Sequence, residues 1–598
     1  MRNLPRSCAF LIWLALGLSW CVGILGRGYW TPDEPREADI AWRMSWQPAK
    51  AVPLLAGEPF CEKPPLTYWV AGAAIDVFGN DAWAARLPNV LYALVTALAV
   101  GLIARRSAGS LAGLAAAAAI STFLLSYQVA IWLATDAPLL AAVSVALWGL
   151  YTGFHAMSTG ERLRGYSCMH AALAVGFLAK SAAAWMVPAL TFFTLVVWER
   201  RWRELLRWEL YLGLILQAVL ILSWVWVVYV GPEGPAHLRV FFWNNLVGRF
   251  AHVDAPEELQ YAAAHRNTPG KYLIELPAYL WPWTLLVLAA ARGAWRRRQE
   301  PGDRRSMVRF AAAVFLPTLC VLSIAATARN IYLAPALAGV ALLLGWWAED
   351  LETAHDRWDL RALRGTSILL LLMVAVVAAA VLIVGRESWD GLHARAAYAA
   401  LSLSGLIIAA GCSLWSLRAA GRGQLVRALC ALLLAYCALL TGPASQIYRS
   451  VDTWQDLASI GRAVAHDAVD RQLILFAPDE TTRAFVDLYT ATSVDLIPGP
   501  ITPKSADRLR AHLAATPRSV VLTQLPGRTE SRTMREFKDW LGPKRRTTTD
   551  PSTTTPRPDF DPTPGWAVAA GLHIAHRYAL PNGRRYALLD SDVATASR

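Results

Sequence analysis

The sequence predicts an all-α polytopic membrane domain followed by a small soluble α/β domain. Three observations carry that reading. The 598 residues are 55% hydrophobic and 17% charged, with 27 Trp. Apolar runs of about 18–22 residues, the length that crosses a bilayer as a helix, recur from the N-terminus to residue 442. After Val451 the pattern changes to short β-like and amphipathic segments of ordinary soluble composition.

The apolar runs fall near 8–25, 87–104, 111–128, 137–155, 168–181, 183–198, 209–230, 272–291, 307–326, 331–348, 365–385, 396–416 and 424–442, about thirteen crossings. The first follows Arg2 and Arg6 and lacks a small-residue cleavage site. It reads as a signal anchor retained as the first helix rather than a cleaved signal peptide. Alternate connections carry Arg105 and Arg106; Arg162 and Arg164; Arg200, Arg201, Arg203 and Arg207; Arg296, Arg297 and Arg298; Arg357, Arg361 and Arg364; and Arg418, Arg422 and Arg427. All of these share a side with Arg2 and Arg6, which the positive-inside rule makes cytoplasmic. The net charge of +13 is therefore mostly a topology signal and argues against nucleic acid as a partner. Seven of the eight Cys lie in or beside apolar runs, Cys61 being the exception, and no CxxC pair occurs. Neither a zinc knuckle nor a disulfide framework is indicated.

That topology sends three long regions to the outer side: the loop 27–86, the loop 231–271, and everything after Gln446. Short outer links fall near Asp136, Lys180, Arg329 and Arg386. The domain boundaries are thus 1–446 and 447–598. Within the tail, "QLILFA" and "SVVLTQL" read as buried strands, and "WQDLASIGRAVAHDAV" and "ADRLRAHLAA" have helical spacing. "GLHIAHRYAL" and "RRYALLD" flank Pro581-Asn582-Gly583, a hairpin turn. The Thr/Pro-rich insert near 543–565 is expected to lack regular structure.

The first outer loop opens with "TPDEPREADIAWRM". One reading is a helix start: Thr31 caps, Pro32 takes the first helical position, and Glu34 reaches back in a capping box. Ile40, Trp42, Met44 and Trp46 would then meet the membrane surface. Three features point beyond a cap. A capping box needs one acid and two are adjacent here. Asp33 and Arg36, spaced i, i+3, share a helical face. The same loop also carries "GEPFCEKPPLTYW", where Glu62 and Lys63 precede two prolines that stiffen the backbone and remove amide donors. Carboxylates and cations gathered at one membrane face suit a lipid phosphate. Lys63 also reads as an interfacial lysine that snorkels.

"PDEPREADIAWRM" followed by "EPFCEKPPLTYW" resembles the bacterial aminoarabinose (4-amino-4-deoxy-L-arabinose) transferases of lipid A. These belong to the protein O-mannosyltransferase-like branch of the GT-C glycosyltransferases. The likeness continues through "LATDAPLLAAV", "VGFLAKSAAAWMVPAL", "NNLVGRFAHVDA", "HRNTPGKYLIELPAYLWPW" and "ARNIYLAPALAG". It covers roughly the first 350 residues and transfers no motif to the tail. The resemblance implies a GT-C membrane fold and a donor sugar linked to undecaprenyl phosphate. It implies Asp33 as the catalytic base, and Arg36, Lys63 and Tyr332 as holders of the lipid phosphate. Glu62 and a loop histidine match a divalent-cation contact; His265 is the choice and His252 the competitor. Two departures stand out: Cys61 precedes the glutamate, and "VDAPEELQYAAA" lengthens the second loop between Arg249 and His265.

The chemistry needs a base for the attacking hydroxyl and cations for the departing phosphate. The substrate- and phosphate-binding set is Glu34, Arg36, Lys63, Asp136, Lys180, Arg249, Arg266 and Tyr332. Arg249 and Arg266 also read as solvated loop charges. Lys180 interrupts an apolar run, where a charge is costly unless it meets a partner or a wet cavity; otherwise it is an exposed helix-hairpin tip. Asp136 is either an N-cap or a group that orients a cation or acceptor. Tyr332 is alternatively an interfacial belt residue. One displacement from the one-base layout would invert the anomeric centre. The expected partners are a polyprenyl-phosphate sugar donor, a lipid or glycan acceptor and membrane lipids, with the protein a monomer of the bacterial inner membrane and its site periplasmic. A protein O-glycosyltransferase is the rival within the enzyme class. A flippase for lipid-linked sugars and a scaffold displaying the tail are rivals outside it.

Overall fold

The computed structural model describes residues 6–48, 50–249, 270–298, 303–325, 329–351, 355–384, 392–490, 494–516, 518–525 and 563–591. Packing divides the chain into two compact units. One holds Met1–Arg27 and Ile40–Ser450, and the other holds Gly28–Asp39 and Val451–Arg598. The division falls at residue 450 rather than 446, and it assigns the start of the first outer loop to the tail.

The membrane unit is helical. Among the described residues nine helices are long and apolar enough to cross a bilayer, or eleven if each of two bent pairs is one span. Those pairs are Ser110–Thr122 with Leu124–Ile131, bent by 67°, and Lys271–Tyr279 with Thr284–Arg296, bent by 108°. The expected thirteen are all helical, but two differ in kind. Thr159–Lys180 carries Glu161, Arg162, Arg164 and Lys180 at its ends, and Ala183–Trp198 is short and contains Pro188.

The two breaks support each other. A broken membrane helix frees backbone groups that lipid cannot satisfy, so protein must. The Leu124 amide donates to the Trp281 carbonyl at 3.1 Å, and the Trp283 indole donates to Thr122 Oγ1 at 2.8 Å. Each bend thus supplies the other's missing partner. Small residues bring other helices into backbone contact. A Cβ on Gly165 would lie 2.3 Å from the Gly153 nitrogen, and one on Gly149 would lie 2.5 Å from the Met169 nitrogen. Helices Asp136–Phe154 and Thr159–Lys180 therefore pack as closely as their glycines permit.

Ion pairs tie the Arg-rich connections to one another. Arg106 meets Glu161 at 2.5 Å, Arg162 meets Glu209 at 3.4 Å, and Arg201 meets Glu204 at 2.7 Å. Arg297 meets Asp350 at 2.5 Å and Arg296 meets Asp356 at 2.7 Å. Burial would raise the Asp356 carboxyl, but the Arg292 guanidinium and the backbone amides of Trp358 and Asp359 outweigh it and hold the group below the usual carboxylate range.

The tail is an α/β unit. We label its strands β1 (Gln472–Phe476), β2 (Val494–Ile497), β3 (Ser519–Leu525), β4 (His573–Ala579) and β5 (Arg585–Asp590). Their order is β2-β1-β3-β5-β4. β1 pairs in parallel with β2 and β3, while β5 runs antiparallel to β3 and to β4. Alternate residues of the central strands feed two cores. Leu473, Leu475, Val520 and Leu522 face one, together with Leu457 and Val464; Ile474, Phe476 and Val521 face the other, together with Leu509. Burial on both faces explains why "QLILFA" and "SVVLTQL" are continuous apolar runs. The expected hairpin forms around Pro581-Asn582-Gly583, with Gly583 at φ +90° and its amide donating to the Leu580 carbonyl at 2.9 Å. Of the Thr/Pro-rich insert, 543–562 lie outside the described residues, and Gly565 already begins a helix, Gly565–Ala569.

Candidate active site

The helix Asp33–Trp46 forms where the sequence places it, but its start is built differently. Glu34 Oε2 accepts from the Trp30 amide at 2.8 Å, one residue earlier than a box capped by Thr31 would require. The Thr31 amide and hydroxyl instead donate to Gln455 Oε1, at 3.0 and 2.9 Å. Glu34 is buried, and its carboxylate fastens the turn at the start of this helix. Ile40 and Met44, expected at the membrane surface, are buried inside the protein, whereas Trp46 is exposed. The reason is close packing on the helix Leu66–Phe78: a Cβ on Gly72 would meet the Ala41 carbonyl at 2.7 Å.

Asp33 and Arg36 meet as their spacing requires. Arg36 Nη2 lies 3.3 Å from Asp33 Oδ1 and 3.3 Å from Glu37 Oε1, and Nη1 lies 2.5 Å from Glu480 Oε2 of the tail. Further tail side chains clasp the preceding segment. Asp452 Oδ1 accepts from the Gly28 amide at 2.8 Å and from the Trp30 indole at 3.1 Å. The Thr481 hydroxyl donates to the Pro32 carbonyl at 3.1 Å. Sequence reasoning missed Asp452, Gln455, Glu480 and Thr481. The one available signal is Pro478-Asp479-Glu480, which repeats the helix-start chemistry of Pro32-Asp33-Glu34.

A second cluster lies in the membrane unit. Lys180 Nζ donates to both oxygens of Asp136 at 2.6 Å and sits 5.0 Å from the centre of the Tyr332 ring. Lys180 ends its helix, where a cation suits the dipole, and Asp136 begins one, where an anion does. With Lys180 16% and Asp136 10% exposed, the pair is neither a solvated hairpin tip nor a simple N-cap. Thr135 holds the cap position and makes no side-chain capping bond. Nearby, the Tyr272 hydroxyl donates to the Arg329 carbonyl at 2.8 Å. The outer links expected near Asp136, Lys180 and Arg329 thus gather around one ion pair.

Glu62 and Lys63 are half-buried in the turn before Leu66–Phe78, with Pro64 and Pro65 buried beneath them. Asn245 of the second outer loop donates its side-chain amide to the Glu62 carbonyl. Burial pushes the neighbouring Cys61 thiol up to about 11, so it is no nucleophile at neutral pH. Arg249 ends the short turn Val247–Arg249. Arg266, His265 and His252 lie outside the described residues. Among the described residues no three His, Cys, Asp or Glu side chains converge as metal ligands.

The chain is similar to several known proteins. A family profile described as dolichyl-phosphate-mannose-protein mannosyltransferase matches residues 62–226. The undecaprenyl phosphate-α-4-amino-4-deoxy-L-arabinose arabinosyl transferase of Pseudomonas paraeruginosa is 30% identical over 377 residues, 63% of this chain and 65% of its own. That of Pseudomonas aeruginosa strain LESB58 is 30% identical over 341 residues, 57% of this chain and 59% of its own. The chain therefore spans less than two thirds of the length of these curated relatives. The crystal structure of ArnT from Cupriavidus metallidurans bound to undecaprenyl phosphate superposes with a TM-score of 0.68, over 99% of both chains at 17% identity. The chain therefore shares the fold of ArnT and is similar in sequence to aminoarabinose transferases over 57–63% of its length. The apo form of the same ArnT superposes with a TM-score of 0.65 over 97% of each chain. The likeness in fold thus runs through the tail, where no motif could be transferred.

Proposed function

We propose that this chain is an integral-membrane glycosyltransferase. It moves a sugar from an undecaprenyl-phosphate-linked donor to a lipid A or other envelope acceptor at the periplasmic face of the bacterial inner membrane. The observation that carries the reading is the Asp33–Arg36 pair on one helical face, in a chain with the fold of a protein solved with undecaprenyl phosphate bound.

In this mechanism Asp33 takes the proton of the attacking hydroxyl. The acceptor oxygen forms the new bond at the anomeric carbon as the bond to the phosphate oxygen breaks, and the phosphate leaves as a stable anion. Arg36 neutralises that anion. Within the membrane unit, Lys63, Lys180 and Tyr332 are candidates for a lipid phosphate, with Asp136 holding Lys180. A single displacement inverts the anomeric centre. Arg249 and Arg266 remain candidates for the same phosphate, and Glu62 with His265 for a divalent cation. The molecule acts as a monomer.

A protein O-glycosyltransferase is the second reading, favoured by the match of residues 62–226 to the protein mannosyltransferase profile. The flippase reading loses ground because the two helix breaks, at Phe123 and at 280–283, contain no ionisable side chain and close on each other. The test is Asp33→Asn in purified protein. Transfer falls by about 10²–10⁴, the usual worth of a general base, while undecaprenyl phosphate still binds. Unchanged transfer would refute Asp33 as the base. Mass spectrometry of lipids and glycoproteins from cells with and without the gene separates the two acceptor classes.

A further inference from the structure

At the Arg-rich end of the membrane unit, two contacting helices present the same pattern. Helix Thr284–Arg296 carries Leu288, Arg292 and Trp295 at i, i+4 and i+7, one face of a helix. Helix Arg357–Val384 carries Trp358, Arg361, Ile368 and Leu372, which share a face by the same geometry. Arg292 joins the two faces. Its guanidinium lies 5.3 Å from the centre of the Trp358 ring, and that of Arg361 lies 5.2 Å from the same centre. Arg298 stacks on Trp295 at 4.6 Å. Trp295 and Trp358 are still 70% and 51% exposed, and Leu288, Ile368 and Leu372 are exposed as well.

A guanidinium stacked on a ring uses its flat face and keeps its N–H edges for an acceptor. The acids at this end do not take them all. Asp356 receives Arg292 and Arg296. Asp350 and Asp359 are buried, against Arg297 and the Trp347 indole. Among the described residues Arg298 and Arg361 have no carboxylate partner. Below the cations both faces turn apolar. At about 1.5 Å per residue, Leu288 lies about 10 Å deeper than Trp295, and Leu372 about 16 Å deeper than Arg361. That depth belongs to the candidate membrane span Arg357–Leu382, so the occupant of the apolar part is lipid.

We propose that this face binds one anionic phospholipid of the surrounding bilayer. Arg298 and Arg361 hold its phosphate, the two Trp rings border the headgroup, and its acyl chains lie along Leu288, Ile368 and Leu372. The lipid thereby fastens the bent arm Thr284–Arg296 to the span beside it. The site is independent of the sugar-transfer reading.

The test uses full-length protein stripped of lipid in mild detergent. It is titrated with dioleoylphosphatidylglycerol or dioleoylphosphatidylcholine, and binding is read by native mass spectrometry. We expect the anionic lipid to bind about tenfold tighter. Arg298→Gln and Arg361→Gln each lower its affinity about fivefold, and together they abolish the preference. Leu288→Gln with Leu372→Gln weakens both lipids alike. Arg427→Gln, on another helix at the same end, leaves the preference intact. Equal affinity of the two lipids for wild type overturns the proposal, as does a preference that survives both arginine changes. An equal loss in Arg427→Gln overturns it too, since the attraction is then diffuse. Displacement of the lipid by free glycerol phosphate at low millimolar concentration would assign the cations to a soluble phosphate instead. Should the arginine variants fail to fold, hydrogen exchange of the wild type decides. Phosphatidylglycerol slows exchange in 284–296 and 357–372 and phosphatidylcholine does not; equal exchange with both lipids refutes the site.

Discussion

Replacing Asp136 with Asn strands the Lys180 ammonium. The pair is bidentate at 2.6 Å, and only 16% of Lys180 and 10% of Asp136 are exposed. Breaking a buried ion pair by neutralising one partner costs about 3–5 kcal/mol. The residual exposure lets water take over part of the solvation, so the expected cost is about 2–3 kcal/mol. The double variant Asp136→Asn with Lys180→Met carries no stranded charge and should fall within about 1 kcal/mol of wild type. Lys180→Met alone strands Asp136 at a similar cost, so the cycle yields a coupling of about 3–5 kcal/mol. SDS titration of purified protein in mixed micelles, followed by circular dichroism, measures each free energy. If Asp136→Asn costs less than about 0.5 kcal/mol and the single effects add, the pair is solvated and the argument for a built outer cluster fails.

Two further predictions follow from packing and from charge. Gly165→Ala forces a methyl against the Gly153 backbone at 2.3 Å and should cost about 1–3 kcal/mol in the same titration; a neutral outcome would mean the two helices can separate freely. Asp467 concerns pH. Burial would raise its carboxyl, but the Tyr578 hydroxyl at 2.7 Å, His466 and His576 outweigh that and hold it below the ordinary range. A depressed value means stability present at neutral pH and lost as pH falls through the folded value. Asp467→Ala should therefore loosen the tail by about 1–2 kcal/mol at pH 7 and by progressively less below about pH 4, read by hydrogen exchange across β4 and β5. A pH-independent difference would contradict it.

Much of the fold was legible because two periodicities were undisturbed. Membrane helices announce themselves by length and apolarity, and doubly buried strands by unbroken runs such as "QLILF". What escaped had weak local signal. The strand β2, "VDLI", is four residues with a half-exposed pattern, and helix Glu480–Tyr489 is short. The bend at Phe123 has no local breaker, whereas Pro282 lies in the one at 280–283. In the candidate site, Asp33 with Arg36 was readable because i, i+3 spacing fixes a shared helical face. Asp136 with Lys180 was readable only as two separate oddities, a charge in an apolar run and an acid before Ala-Pro. Their union depends on helix packing that no spacing encodes. The clasp by Asp452, Gln455 and Glu480 had only the faint signal of Pro478-Asp479-Glu480, because an acid in a soluble tail looks like any solvated charge.

That clasp has a temporal corollary. Arg36 and Glu480 are separated by 444 positions, so at about 5–20 residues per second the ribosome delivers the partner roughly 20–90 s after the guanidinium itself. Throughout that interval the segment bearing Asp33 lacks its fastenings. Until the tail has emerged, a nascent chain cannot settle this segment into the arrangement of the finished molecule.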